Sequence, residues 1–141
     1  MMQEMIEKVL ESRWLWLVAR LCLVGVFLAS GLAKLIDFDG GMAEMTAAGL
    51  SPAGLFNGLV VVTLLSGAVL ILLDRVVWLA AGMLGGFLLL TILIVHHFWS
   101  KTGADAQISM FFAMEHIAVI GGLMIAAIAS HLRRLVANVS D

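Results

Sequence analysis

Four stretches of this chain are each long and apolar enough to cross a lipid bilayer: about residues 14–36, 53–73, 76–98 and 110–132. A hydrocarbon core of about 30 Å takes about 20 mostly apolar residues in helical form. Inside hydrocarbon every backbone N–H and C=O must be paired by the protein, and a helix does this within one segment. The expected fold class is therefore all-α, an integral-membrane antiparallel four-helix bundle spanning residues 1–141 as a single transmembrane domain. Composition agrees. Charged residues are 13% of the chain and hydrophobic ones 62%, whereas soluble domains carry about 25% charged residues. A net charge of −2 argues against nucleic acid as a partner. The single cysteine, Cys22, rules out an intrachain disulfide and a Cys-x-x-Cys pair, and reads as a small apolar filler.

The connections fix neighbours. Asp74 and Arg75 alone separate the second and third spans, which predicts a tight antiparallel hairpin. The 37–52 segment, with two adjacent glycines and the only proline, reads as a loop. There Ser51 is the expected N-cap of the next helix and Pro52 its first-turn residue. The 99–109 segment reads as a second loop. The first 13 residues mix Met2, Met5, Ile6, Val9 and Leu10 with charge, the pattern of a short amphipathic helix on the membrane surface. Glu4, Glu7 and Glu11 make a poor n-region, so no cleaved signal peptide is expected. Lys8, Arg13, Arg75, Arg133 and Arg134 fall on the side of both termini, against Lys34 and Lys101 on the other. The positive-inside rule then puts both termini in the cytoplasm.

Ionisable residues within spans are costly and usually face the bundle interior. In the first span Arg20, Val24, Phe27, Gly31 and Lys34 share one helix face by their three–four spacing. Comparable stripes are Phe56, Leu59, Thr63 and Gly67 in the second span, Gly82, Gly86, Leu89, Leu93 and His96 in the third, and Glu115, Ala118, Gly122 and Ile125 in the fourth. Gly31, Gly82, Gly86 and Gly122 are expected to let helices approach closely, and Gly82 and Gly86 form a G-x-x-x-G pair. Arg20 is expected to be a buried structural charge. Trp14, Trp16, Trp78 and Trp99 read as interface anchors.

Depth concentrates Lys34, His96, His97, Glu115 and His116 at one end of the bundle. These five are the candidates for ligand binding or proton relay. Side chains lean toward a helix's N-terminus, so Lys34 is expected to reach toward Glu115. Adjacent helical residues point about 100° apart, so at most one of His96 and His97 is expected to face the bundle, and likewise one of Glu115 and His116. No triad of ligands at metal-binding spacing stands out, and no metal is expected.

With these residues placed, the chain resembles the DoxX family of small four-helix bacterial membrane proteins. The resemblance runs from about Arg20 to Ala126. It is carried by "RLCLVGVFLASGLAKLIDFDG" at 20–40, "GLSP" at 49–52, "LLSGAVLILL" at 64–73, "HHFW" at 96–99 and "IAVIGGL" at 117–123. Two positions depart from the family pattern. Thr63 stands where a glutamate is usual, and Glu115-His116 where a lysine precedes an asparagine. The departures make Lys34 or Arg20 the expected partner of Glu115. What the resemblance implies is a bacterial inner-membrane protein near quinone or thiol chemistry, a redox-linked subunit holding a quinone or other small apolar ligand. The alternative is a non-catalytic scaffold or assembly partner of a membrane oxidoreductase. A homo-oligomer is compatible with either. Transport and metal binding fit the sequence less well, and no residue identifies itself as catalytic.

Overall fold

The structure, a computed structural model, describes residues 1–140. Six helices follow one another: α1 (Met2–Glu11), α2 (Arg13–Ile36), α3 (Phe38–Ala47), α4 (Ala53–Leu72), α5 (Val77–Ile94) and α6 (Gly103–Ser140), with a 3-10 turn at Phe98–Ser100. No strand occurs among the described residues. α2, α4, α5 and α6 are the four helices long and apolar enough to span a bilayer, and in none is more than 33% of the most apolar window buried inside the protein. Their remaining apolar surface points outward, as lipid contact requires.

α4 packs on α2 and α5, α6 packs on α5, and the ring closes with a slighter contact between α6 and α2. The core holds Val24, Phe27, Leu64, Ile71, Val77, Leu84 and Leu123, each at most 2% exposed. Both chain termini and the α4–α5 hairpin lie at one end, here called proximal. The α2–α3–α4 and α5–α6 connections lie at the distal end.

Local chemistry explains the boundaries. Ser12 caps α2 by accepting from the Trp14 N–H at 3.2 Å. Asp37 ends α2 and caps α3, accepting from the Gly40 N–H at 2.9 Å. The 37–52 segment is therefore not a loop throughout, since ten of its residues form α3. Nor does Ser51 cap α4; Pro52 is itself the N-cap residue, in extended backbone with no side-chain bond. At the hairpin Asp74 and Val76 take positive φ of 55° and 42°. For a β-branched valine this is strained by about 1–3 kcal/mol, so the turn must be held from outside. α5 stops at Ile94, short of the expected end at residue 98, and α6 extends beyond its expected span at both ends. Lys101 closes α5 by donating to the Val95 carbonyl and the Ser109 hydroxyl, both at 2.8 Å.

The helix faces agree with expectation in α2 and differ elsewhere. Arg20, Val24, Phe27 and Gly31 are buried and Lys34 is half-buried. In α4 the buried line is Asn57, Val61, Leu64, Ala68 and Ile71, with Gly67 the only member of the expected stripe on it. In α5 Gly82, Gly86, Leu89 and Leu93 face outward, and Ala80, Leu84, Gly85, Leu88 and Ile92 face in. In α6 Glu115, Ala118 and Ile125 are exposed, while Ser109, Ala113, Leu123, Ala126 and Ser130 are buried. Lipid tails are as apolar as leucine, so a helix that is apolar all round does not mark its inward face.

Candidate functional site

At the distal end α5 ends before its two histidines. The Val95 and His96 N–H groups both bond the Thr91 carbonyl, at 2.8 and 3.0 Å, and the chain then leaves the helix. His96 and His97 are thus not helical neighbours, and although only His96 turns toward another helix, as expected, the reason is the uncoiled chain and not the 100° helical offset. His96 turns toward α6, stacking on Phe112 with ring centroids 5.0 Å apart and meeting the edge of His116 at 5.1 Å. His97 Nδ1–H donates to the Ile94 carbonyl at 2.9 Å, which sets its tautomer, and its ring lies 6.3 Å from Trp99. All three imidazoles are half-buried. Among the described residues the His96 and His116 ring nitrogens have no hydrogen-bond partner, and no three His, Cys, Asp or Glu side chains converge as a metal site would require.

Glu115 is exposed and makes no hydrogen bond or ion pair among the described residues. The expected Lys34–Glu115 pair does not form. Lys34 instead pairs with Glu44 of α3, because α3 folds back over the end of α2 and offers a nearer carboxylate. Arg20 is not its partner either, since it sits at the opposite end of the bundle. Of the four glycines expected at helix contacts, two are at close approaches. A Cβ on Gly31 would lie 2.8 Å from Leu65, and one on Gly122 would lie 3.1 Å from Leu23. Gly82 and Gly86 meet nothing within 4 Å. Cys22 is a free thiol on the exposed face of α2.

The most completely bonded polar cluster is at the proximal end, where sequence reasoning did not place a site. Asp74 accepts from Trp16 Nε1–H at 2.8 Å and from Ser130 Oγ–H at 2.6 Å. Ser130, fully buried, accepts in turn from Arg134 at 3.0 Å. Arg20 donates to the Ile71 and Leu72 carbonyls of the last turn of α4 at 3.2 and 2.7 Å, the Ile71 carbonyl also accepting from the Asp74 N–H at 3.1 Å. Arg20 and Arg133 lie over the Trp16 ring at 5.0 and 5.8 Å. Trp16 is therefore a tie between helices and not a simple interface anchor. Burial raises the Asp74 carboxyl, but the hydrogen bonds from Ser130 and Trp16 and the charges of Arg20 and Arg134 outweigh it and hold it below its ordinary value. Asp74 was readable only as a turn residue, and Ser130 only as one small residue in an apolar run.

A second unforeseen residue is Asn57. It is fully buried at the start of α4 and donates from Nδ2 to the Lys34 and Phe38 carbonyls, both at 3.4 Å. Its Oδ1 has no hydrogen-bond partner.

Comparison with known proteins agrees with this architecture. The DoxX family model matches residues 15–97. Inner membrane protein YphA of Escherichia coli (strain K12) is 29% identical over 114 residues, covering 81% of each chain. No solved structure matches. The matched segment takes in α2 to α5 and ends on the His96–His97 pair, and with that extent of agreement the chain belongs to the DoxX family, as an integral membrane protein of four spanning helices.

Proposed function

We propose that this chain is a redox-linked subunit of the bacterial inner membrane that holds a quinone, or another small apolar ligand with carbonyl acceptors, at the distal end of the bundle. The observation that carries this reading is the His96–His116 pair beside Phe112. Two half-buried imidazoles with unbonded nitrogens lie at a bundle end, next to an apolar ring. A neutral imidazole donates one hydrogen bond to a ring oxygen, and near neutral pH it can pass on a proton as well. Reduction of a quinone consumes two electrons and two protons. The electrons come from a membrane oxidoreductase partner, and the histidines serve the protons. His97, its Nδ1–H engaged by Ile94, orients the segment.

Purified protein in mild detergent is expected to quench or shift the signal of a short-tailed benzoquinone at stoichiometric ratio. Two lost hydrogen bonds of about 1 kcal/mol each predict that a His96→Leu/His116→Leu variant binds it about tenfold or more weakly. Equal binding by wild type and variant, or none by either, would sink the proposal.

The alternative, a non-catalytic scaffold for an oxidoreductase complex, is favoured by the proximal network around Asp74. Its side chains are bonded within the chain, which suits architecture better than chemistry. An empty bundle that co-purifies with another membrane protein would support that reading. Both place the termini in the cytoplasm, because the proximal end carries Lys8, Arg13, Arg75, Arg133 and Arg134. A C-terminal alkaline phosphatase fusion is expected to be inactive; an active one reverses the orientation.

A further inference from the structure

α5 and α6 leave an open groove of about 340 Å³ between them on the outer surface of the bundle, starting at Trp78 and running toward Leu89. Its floor is Gly82, Gly85 and Gly86, and a Cβ on any of the three would meet nothing within 4 Å. Ile120, Met124 and Ala127 of α6 form the facing wall. The lining is almost wholly apolar. Its chemistry changes at the proximal mouth. Arg75 is exposed in the hairpin three residues before Trp78. His131 is exposed one turn beyond Ala127, on the same face of α6. Because α5 and α6 run antiparallel and Trp78 and Ala127 line the same groove, His131 lies level with the hairpin. Among the described residues neither side chain has a hydrogen bond or an ion pair.

We propose that this groove holds one acyl chain of an anionic phospholipid, with its phosphate between Arg75 and His131. Charge complementarity selects that occupant. An anionic head meets an unpaired guanidinium and an imidazole at the level where Trp78 marks a bilayer interface. A second copy of the chain packed two-fold across this face would bring Arg75 toward its own counterpart and leave the like charges opposed. A quinone ring seated in the groove would find no donor away from the mouth. The lipid site is thus separate from the distal histidine pair and does not depend on it.

The test uses the full chain, delipidated in mild detergent and titrated with phosphatidylglycerol or phosphatidylethanolamine of identical acyl chains. Native mass spectrometry counts the bound lipids. One phosphatidylglycerol per chain is expected to be retained in preference to phosphatidylethanolamine. Arg75→Gln is expected to weaken retention about fivefold, and Arg75→Gln/His131→Gln to abolish the preference. A Cβ at position 82 meets nothing within 4 Å, so Gly82→Leu projects into the groove and should remove both lipids while leaving the melting temperature unchanged. Equal retention of the two lipids overturns the proposal, as does retention unaffected by Gly82→Leu. A wild-type dimer that Gly82→Leu disperses also overturns it and assigns the face to a second copy.

Discussion

Replacing Asp74 by alanine is expected to destabilise the bundle by about 2–4 kcal/mol in detergent. Removing one partner from a buried charged network costs about 3–5 kcal/mol. The figure is lowered here because Asp74 is half-buried and water screens part of its field. The loss has three parts. Trp16 Nε1–H and Ser130 Oγ–H lose their acceptor. Arg20, 8% exposed, and Arg134 lose the nearest negative charge. The strained hairpin with Val76 at φ 42° loses the side chain that ties it to α2 and α6. Asp74→Asn keeps one acceptor and should lose less. Chemical denaturation followed by tryptophan fluorescence reads all of this, since Trp16 is part of the network. A loss below about 1 kcal/mol, the size of one ordinary hydrogen bond, would show that the network is not what holds the proximal end.

The same carboxylate makes stability depend on pH with a definite sign. The folded protein holds Asp74 below its ordinary value of 3.8, so the folded state takes up its proton less readily than the unfolded chain. The stabilisation is fully present above the unfolded value and is lost as pH falls through the lower folded one. Wild type should therefore lose stability on acidification in a limb that Asp74→Asn flattens. Parallel acid limbs in the two proteins would assign the pH dependence to other groups.

How much of this was legible depended on what polar residues each helix carried. α2 announced its inward face because Arg20 and Lys34 bracket it, and burial of Arg20, Val24, Phe27 and Gly31 follows that line. α4 and α5 carry no charge, and their cores were misread. With apolar residues on every face, only packing against neighbours decides which turn inward, and one sequence does not contain the neighbours. Thr63, the polar residue expected near mid-membrane, is only half-buried, whereas Asn57, to which the sequence assigned no role, is fully buried. α3 was hidden by its two glycines, which suggested a loop. One of them, Gly41, is in fact where α3 meets α4.

The candidate site was half legible. Gathering His96, His97, Glu115 and His116 at one end followed from span lengths alone. Which of them meet did not, because it depends on α5 ending at Ile94, and no proline or glycine marks that end. The uncoiled segment frees His96 to reach His116, while Glu115 is exposed. The proximal network was invisible for a different reason. Trp16, Asp74 and Ser130 are 58 and 56 residues apart across its two bonds to Asp74, and nothing local to any of them signals the others.

The docking of α3 gives the second large expected effect. Gly41→Ala should cost about 1–3 kcal/mol, although the change is one methyl group on a helix where alanine is intrinsically favoured. A Cβ at position 41 would lie 2.7 Å from Asn57 Cγ and closer still to the amide oxygen and nitrogen. Asn57 cannot swing away cheaply. It is fully buried, and its amide donates to the Lys34 and Phe38 carbonyls that join α2 to α3. Either those bonds break, at about 0.5–1.5 kcal/mol each, or α3 lifts off α4 and overpacking costs about 1–3 kcal/mol. Asn57 Oδ1, which has no hydrogen-bond partner, is the atom a Cβ at position 41 would approach most closely. A double-mutant cycle separates this from a general intolerance of α3 to change. Asn57→Ala alone removes both amide bonds to the α2–α3 junction and should destabilise. Combined with Gly41→Ala it vacates the space the new methyl needs, so the double variant should be more stable than the sum of the single losses by about 1 kcal/mol or more. Strict additivity would mean that Gly41 acts through its own backbone and not through Asn57. Non-additivity would identify the pair as the contact that brings Glu44 over Lys34, and so the reason that Lys34 does not reach Glu115.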